Sequence, residues 1–270
     1  MLKKQIVTIF SLWILAAGSA LAQFDHSHAQ WSALLKKHVV VIDGGKASQL
    51  RYAGMNADRA QLKTYLETLA KVSETDFKAF SKSQQLAFLI NAYNANMAEK
   101  ILLRYPNIKS VWDYGKLLGN PFKDNFIALL GRKMTLDNIE HDTIRAPGAN
   151  DDPRIHFAVN CASIGCPMLR EEAYTSERVD AQLEEQTMRF MTDRSRNRTN
   201  AEGKLEVSKI FDWYGGDFKK GHKGFKTLES FFAKYANQLT DNPEHQKFIR
   251  DGRAEIKYLD YDWGLNDARK

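Results

Sequence analysis

The stretch RIHFAVNCASIGCP, residues 154–167, contains both cysteines of the chain and one of its seven histidines. Its first half is apolar and rich in residues that favour β-structure, which predicts a buried strand. Its second half consists of small residues followed by Gly-Cys-Pro, a combination that ends regular secondary structure. A strand that ends in a tight turn holds its last side chains in fixed positions. We therefore expect the active or binding centre here, supported by the rest of the chain.

The clearest helix signal lies upstream of this stretch. Apolar residues at helical spacing predict a helix from about Gln84 to Arg104, capped by Ser83 and stopped by Pro106. A second stripe of the same helix combines small residues with the amides of Asn91 and Asn94. We expect the helix to pack centrally, with this stripe facing the predicted strand. The two amides then either contact a ligand or tie down neighbouring loops.

The remaining pattern mixes helices with short strands and shows no regular alternation of the two. Helices are predicted over residues 30–37, 56–72, 136–145, 176–194, 227–237 and 241–250, and strands over 39–43, 49–53, 126–130, 133–134, 205–210 and 255–261. Such an order predicts an α+β fold. We expect a single helix-rich domain over residues 23–270, with a small and mostly antiparallel sheet.

Residues Met1 to Ala22 have the features of a secretory signal peptide. Two early lysines precede an apolar run from Ile6 to Ala17, and Ala20-Leu21-Ala22 fits the small-x-small cleavage rule. The apolar run is short for a membrane span, so no stable membrane anchor is expected after cleavage. The mature chain is predicted to be exported, most simply to the periplasm.

The charge of the chain bears on its partners. The formal net charge of +6 falls to +4 when Lys3 and Lys4 leave with the signal peptide. No segment of the mature chain concentrates Lys and Arg among aromatic residues, so nucleic acid is not an expected partner. We expect a small-molecule or peptide substrate instead, and no cofactor.

Four motifs together carry a resemblance to a known family. They are FLINAYNA at residues 88–95, LDNIEH at 136–141, HFAVNCAS at 156–163 with Cys166-Pro167, and YDWGLN at 261–266. In this order they resemble the bacterial exported members of the family called domain of unknown function 547. The resemblance covers about Leu62 to Asn266. It implies domain boundaries and a site rather than a reaction, because the family has no settled activity.

A thiol nucleophile is one interpretation of the site. Cys161 follows the predicted strand, and the free N–H groups of the turn after it would stabilise a thiolate. We therefore expect Cys161, rather than Cys166, to be the reactive thiol. The general base would be His156 or His141, and an amide such as Asn160 would orient the imidazole. On a straight strand His156 and Cys161 point to opposite faces, so they meet only if the strand ends or bends near Asn160.

Other interpretations of the same residues remain open. In an oxidising compartment Cys161 and Cys166 form a disulfide by default. The Cys-x4-Cys spacing is unlike the Cys-x-x-Cys of thioredoxin-like proteins, and no metal-binding spacing occurs, so neither a catalytic dithiol nor a metal is predicted. We expect a thiol-dependent hydrolase or acyl-transferase for peptide or amide bonds, or else a non-enzymatic binding module with a structural disulfide. Supporting or binding roles are predicted for Asn91, Asn94, Glu140, Arg145 and Cys166.

Overall fold

The computed structural model describes residues 24–115 and 119–268. The predicted signal peptide, residues 1–22, lies outside the described residues. Within them, no helix is both long enough and apolar enough to cross a membrane.

The described chain forms a helix-rich α+β fold, as predicted. The α-helices are α1 (Ala29–His38), α2 (Tyr52–Ala57), α3 (Arg59–Ala70), α4 (Glu74–Ala79), α5 (Lys82–Leu102), α6 (Val179–Thr192), α7 (Ile210–Trp213), α8 (Leu228–Lys234), α9 (Ala236–Leu239) and α10 (Pro243–Arg250). The strands are β1 (Val39–Ile42), β2 (Ala47–Leu50), β3 (Ile127–Leu129), β4 (Arg132–Met134), β5 (Arg198–Thr199), β6 (Leu205–Val207) and β7 (Ile256–Tyr258).

The strands form three small sheets in the described part of the chain. Strands β1 and β2 make one antiparallel hairpin, and β3 and β4 make another. In the third sheet β6 pairs antiparallel with β5 and parallel with β7. The turn between β3 and β4 places Leu130 and Gly131 at positive φ, which matches the right-handed twist of a tight hairpin.

Helix α5 is the central element, as its two-sided pattern predicted. All its residues from Ala87 to Leu102 are buried, because other elements cover the helix on every side. The predicted cap at Ser83 is wrong: Ser81 caps the helix in a reciprocal pair with Gln84. Each of these two side chains accepts a hydrogen bond from the other's backbone N–H, which satisfies free donors at the helix start.

The strand predicted for the first half of residues 154–167 is wrong. A 3-10 helix, Pro153–Phe157, occupies this position and begins with the Asp152 side chain accepting the Arg154 N–H. Every residue from Asp152 to Asn160 is buried, so no face of the segment turns to solvent. The apolar run therefore reflects burial on all sides, which periodicity alone does not distinguish from a buried strand.

The same segment lies where two hydrophobic clusters meet. The first cluster surrounds α5 and includes Ala158 and Val159. The second is rich in phenylalanine and includes Phe157, whose ring stacks on Phe190 at 5.0 Å between centroids. Consecutive residues thus belong to different clusters. The junction between the clusters is where the side chains of the predicted site converge.

Candidate functional site

A cavity of about 340 Å³ opens at this junction. It brings together residues that are distant in the chain: Tyr93, Trp112, Asn120, Phe122, Asp137, Glu140, His141, His156, Val159, Cys161, Cys166, Pro167, Ile210, Trp213, Tyr214, Tyr261 and Trp263. Both histidines and both cysteines of the sequence hypothesis are among them. The lining residues include two carboxylates and no lysine or arginine, so the cavity favours neutral or cationic groups.

His156 is held rigidly at the wall of the cavity. Its Nε2 lies 2.7 Å from Asp217 Oδ2, and its ring stacks on Tyr214 with the centroids 3.9 Å apart. An ionised carboxylate only accepts hydrogen bonds, so Nε2 carries the proton and Nδ1 carries the lone pair of the neutral ring. Nδ1 is buried and has no hydrogen-bond partner among the described residues.

Glu140 meets His156 across a short gap. Its Oε1 lies 3.8 Å from His156 Nδ1, is buried, and likewise has no hydrogen-bond partner in the described part of the chain. Glu140 belongs to a π-helix, Asn138–Ile144, where an α-helix was expected from the sequence. The Arg145 N–H donates to the Glu140 carbonyl five residues earlier. Single π-turns of this kind are frequent at functional sites because they redirect side chains.

Arg145 joins the second histidine to the same network. Its Nε donates to Asp217 Oδ2 at 2.6 Å, and its Nη1 donates to His141 Nδ1 at 2.7 Å. Lys220 Nζ contacts the other oxygen of Asp217 at 3.1 Å. Two cations, Arg145 and Lys220, therefore contact Asp217 in addition to His156. Arg145 holds both the Asp217 carboxylate and the His141 ring by hydrogen bonds.

Burial and charge set the protonation states of this network. Burial lowers the pKa of His156 below its ordinary value, although Asp217 and Glu140 oppose the shift, so the ring is neutral at neutral pH. Burial alone would raise the pKa of Asp217, but hydrogen bonds from His156 and Arg145 outweigh it and hold that pKa well below its usual range. Burial also raises the pKa of Tyr93 and Tyr214, so both phenols stay protonated and can donate hydrogen bonds.

The two cysteines form a disulfide at the edge of the cavity. Neither histidine is paired with a sulfur, since His156 Nε2 binds Asp217 and His141 Nδ1 accepts from Arg145. The turn N–H groups expected around the Cys161 sulfur are mostly engaged elsewhere. Those of Ala162, Ile164 and Gly165 donate to Asn160 Oδ1, the Gly264 carbonyl and the Asp262 carbonyl.

The three asparagines of the sequence hypothesis bind the backbone. Asn94 accepts from the Asn160 N–H at 2.8 Å and donates to the Ala158 carbonyl at 2.9 Å. Asn91 exchanges the same pair of bonds with the backbone of Tyr174. Asn160 donates to the Pro167 carbonyl and accepts from the Ala162 N–H. These amides hold the loops around the cavity, which is the second of the two roles considered from the sequence.

Three residues of the site were not singled out from the sequence. Asp217 and Tyr214 belong to the segment FDWYGGD, residues 211–217, and Tyr261 opens the last motif. An acid placed directly after aromatic residues and two glycines is a usable signal for Asp217, the second acid of this segment. The chain itself does not indicate that this segment reaches His156, because the contact spans 61 residues.

Other features of the described chain limit the chemistry. No three or more His, Cys, Asp or Glu side chains between residues 24 and 115 or 119 and 268 are grouped so as to hold a metal ion. Three tryptophans line the cavity: Trp112 and Trp213 are exposed, and the partly buried Trp263 contacts both, with ring centroids 5.3 Å from Trp112 and 5.7 Å from Trp213. Flat apolar rings of this kind offer stacking surface to a ligand.

Comparison with known proteins identifies the family. No curated protein and no solved structure matches the chain. A family model described as "Protein of unknown function, DUF547" matches residues 77–191. This range contains the first three motifs, with Glu140, His156 and both cysteines, whereas the fourth motif and Asp217 lie beyond it. The resemblance to DUF547 is therefore confirmed over residues 77–191, and the bacterial exported type stays a prediction.

Proposed function

We propose that the protein is a hydrolase or acyl-transferase for amide bonds in which His156 is the general base. The observation that supports this proposal is the pair of atoms Glu140 Oε1 and His156 Nδ1. Both are buried beside the cavity without a partner among the described residues, and they lie 3.8 Å apart. Buried polar atoms in proteins are normally paired. One water molecule or one substrate N–H or O–H group within hydrogen-bond distance of both would satisfy them together.

The proposed reaction follows from the proton positions. Asp217 keeps the proton of His156 on Nε2, so Nδ1 accepts a proton from the attacking water or acceptor group. Glu140 orients that nucleophile with a second hydrogen bond. The phenol of Tyr93 lines the same cavity and supplies a donor for the negative charge that develops on the carbonyl oxygen, whereas the phenol of Tyr214 is hydrogen-bonded to Glu140. The imidazolium then returns its proton to the leaving amine.

The lining of the cavity narrows the substrate class. Its two carboxylates, Asp137 and Glu140, disfavour an anionic group, and its aromatic rings favour a flat or apolar one. A small amide or a peptide with a neutral or cationic side chain fits both conditions.

A thiol-dependent reaction is a second candidate. The Cys161 sulfur lines the same cavity and lies 3.1 Å from the Tyr261 hydroxyl. Only a thiolate attacks a carbonyl, so this reaction requires the disulfide to be reduced first. The two candidates therefore differ in their dependence on a reductant.

An amidase assay on the full mature chain separates the candidates. The probes are acyl-peptide p-nitroanilides with neutral or basic side chains, tested with and without dithiothreitol. We expect hydrolysis without reductant and a loss of about a hundredfold or more in Glu140→Gln and His156→Gln. His245→Gln, which changes a histidine bound to Thr199 outside the cavity, is the matched control and should retain the wild-type rate.

Other results of that assay point elsewhere. Hydrolysis only after reduction, abolished by Cys161→Ser, would favour the thiol candidate. Binding of the peptides without turnover under either condition would favour the non-enzymatic binding module.

Export to the periplasm is also part of the proposal. It rests on the basic start, the apolar run and the Ala20-Leu21-Ala22 site. N-terminal sequencing of the protein from its native host is expected to begin at Gln23. A cytoplasmic protein that still begins at Met1 would contradict it.

A further inference from the structure

The disulfide has an asymmetric environment. Cys166 is buried, with an exposed fraction of 3%, whereas Cys161 is only partly buried. Both line the cavity, so a molecule that enters it reaches the Cys161 sulfur more readily. A purely structural disulfide within one turn would require neither this difference nor access from a cavity.

Hydrogen-bond donors surround the buried sulfur. The backbone N–H of Cys161 donates to Cys166 Sγ at 2.9 Å. The hydroxyls of Tyr261 and Ser163 lie 3.2 and 3.5 Å from the same sulfur, and 3.1 and 3.0 Å from Cys161 Sγ, so both sulfurs share them. The Cys161 N–H is the donor that distinguishes Cys166 from Cys161. Burial raises the pKa of Tyr261, so its phenol remains a donor at neutral pH. A disulfide sulfur is a weak acceptor, but a thiolate at this position would receive all three bonds.

We propose that this disulfide is a thiol–disulfide exchange centre that oxidises small thiols entering the cavity. Cys161 is the sulfur attacked and Cys166 is the leaving group. Exchange is fastest when the leaving thiol has a low pKa and the attacked sulfur is accessible. The donors around Cys166 meet the first condition and the exposure of Cys161 meets the second. This activity goes beyond the proposed hydrolase and does not rest on it.

The reaction balances in two steps. A thiolate RS⁻ bonds to Cys161 Sγ while the bond between the two cysteines breaks, and the electron pair stays on Cys166 as a thiolate. A second thiolate RS⁻ then attacks the sulfur of the bound RS group, which releases RSSR and leaves Cys161 as a thiolate. Both cysteine thiolates take up the protons of the two thiols. Two thiols are oxidised and one protein disulfide is reduced.

Glutathione is the probe for the first step. The oxidised full mature chain is mixed with glutathione, the free thiols are blocked with N-ethylmaleimide in acid, and fragment-ion mass spectrometry locates each group. We expect glutathione on Cys161 and the blocking group on Cys166. We also expect the native chain to exchange about tenfold faster than the same chain unfolded in urea, where the donors are lost.

A pair of tyrosine variants tests the donors. Tyr261→Phe removes a hydroxyl that both sulfurs share in the disulfide and that can donate to the Cys166 thiolate once the S–S bond breaks, so it should slow exchange by about tenfold. Tyr258→Phe, an exposed tyrosine on β7, is the matched control and should exchange at the wild-type rate. Circular dichroism of both variants verifies that they fold. The site of the adduct is read on the wild-type chain, so that part of the test does not depend on the variants.

Three results would overturn the proposal. They are glutathione on Cys166, native exchange slower than in the unfolded chain, or a Tyr261→Phe rate equal to that of the wild type. Each would make the disulfide a structural crosslink. None of these readouts depends on amide hydrolysis, so the failure of this proposal and the failure of the proposed hydrolase can be distinguished.

Discussion

Arg154 and His156 are two residues apart on one 3-10 helix, and both are almost fully buried. They differ in whether their side-chain nitrogens have hydrogen-bond partners. The Arg154 guanidinium contacts three carboxylates: Asp152 at 2.7 Å, Glu184 at 2.9 Å, and Asp180. His156 lines the cavity and has one partnered nitrogen, Nε2, and one buried nitrogen, Nδ1, without a partner among the described residues.

The difference shows how to separate a structural polar group from a functional one in this fold. Burying a charge is costly unless it is paired, and the Arg154 cluster is paired on every side that the structure shows. An unpaired buried nitrogen is not by itself a mark of function, since His28 Nε2 is also buried without a partner among the described residues. His156 Nδ1 differs because its ring lines the cavity and Glu140 Oε1 lies 3.8 Å away. The same helix therefore presents one side chain whose nitrogens are all paired and another whose Nδ1, under the proposed function, pairs with a ligand. The predictions below test this distinction.

The largest effect is expected at the structural member of the pair. Arg154→Met leaves Asp152 buried without its main counter-charge, so the free energy of unfolding should fall by about 3–5 kcal/mol. Urea denaturation followed by circular dichroism measures the change. Lys223→Met is the matched control, since Lys223 contacts two of these carboxylates, Asp180 and Glu184, from the surface, and its loss should cost less than about 1 kcal/mol. Equal effects of the two changes would show that burial adds nothing here.

For His156, the expected effect is on the rate of amide hydrolysis. Asp217→Asn removes the charge that keeps the His156 proton on Nε2, so hydrolysis of the amide probe should fall by about a hundredfold, or about 2.7 kcal/mol. Nitrogen NMR of the His156 ring gives a second readout, because the wild type should show the Nε2–H tautomer. A wild-type ring protonated on Nδ1 would contradict the assignment of the base.

Much of the fold could be predicted from the sequence, because its helices and hairpins follow local rules. The pattern of α5, the turn at Leu130-Gly131 and the cap at Thr227 all depend on residues close in the chain. The errors arise where tertiary contacts decide. Residues 153–157 are apolar on all sides because two clusters bury them, and no local signal separates that from a strand. The π-helix that carries Glu140 was likewise predicted as an α-helix, because the search for a period of 3.6 residues does not distinguish the two.

The site was predictable only in part, for a related reason. His156, Glu140 and Cys161 lie in motifs, and the structure places all three around one cavity. Their hydrogen-bond partners come from far along the chain: Asp217 reaches His156 over 61 residues, and Tyr261 reaches Cys161 over 100. A sequence indicates which side chains can react. Tertiary packing decides which hydrogen-bond partner each of them has, and therefore which atom carries the proton. The catalytic roles of these residues stay predictions.

An intermediate loss of stability is expected at Asn94. This residue of α5 binds the backbone just after the 3-10 helix that carries Arg154 and His156. Asn94→Leu removes hydrogen bonds to the Ala158 carbonyl and the Asn160 N–H, which stay buried, so stability should fall by about 1–3 kcal/mol. Asn96→Leu is the matched control, because that amide bonds only a carbonyl of its own helix. Urea unfolding of both variants measures the difference. An Asn94→Leu loss no greater than that of Asn96→Leu would show that the amide does not hold the segment.

The smallest effect is expected in the pH dependence of stability. Here Arg154 and His156 differ because only His156 titrates near neutral pH. Arg154 keeps its charge at all accessible pH values, so it contributes no slope. The pKa of His156 is lowered by folding, so the unfolded chain binds a proton at that residue more readily than the native chain does. As the pH falls below the unfolded value of about 6.5, this residue alone should lower the stability by at most about 1.4 kcal/mol per pH unit, until the folded pKa is reached.

Subtraction isolates this contribution from that of the other histidines. Burial also lowers the pKa of His28 and His222, and both remain in His156→Gln, so their contributions cancel between the two proteins. The stability of the wild type minus that of the variant, from urea curves between neutral pH and pH 5, should decrease as the pH falls. A difference that stays constant would mean that His156 has the same pKa folded and unfolded. A difference that grows would mean that the native state holds the proton, and Nδ1 could not then act as the base at neutral pH.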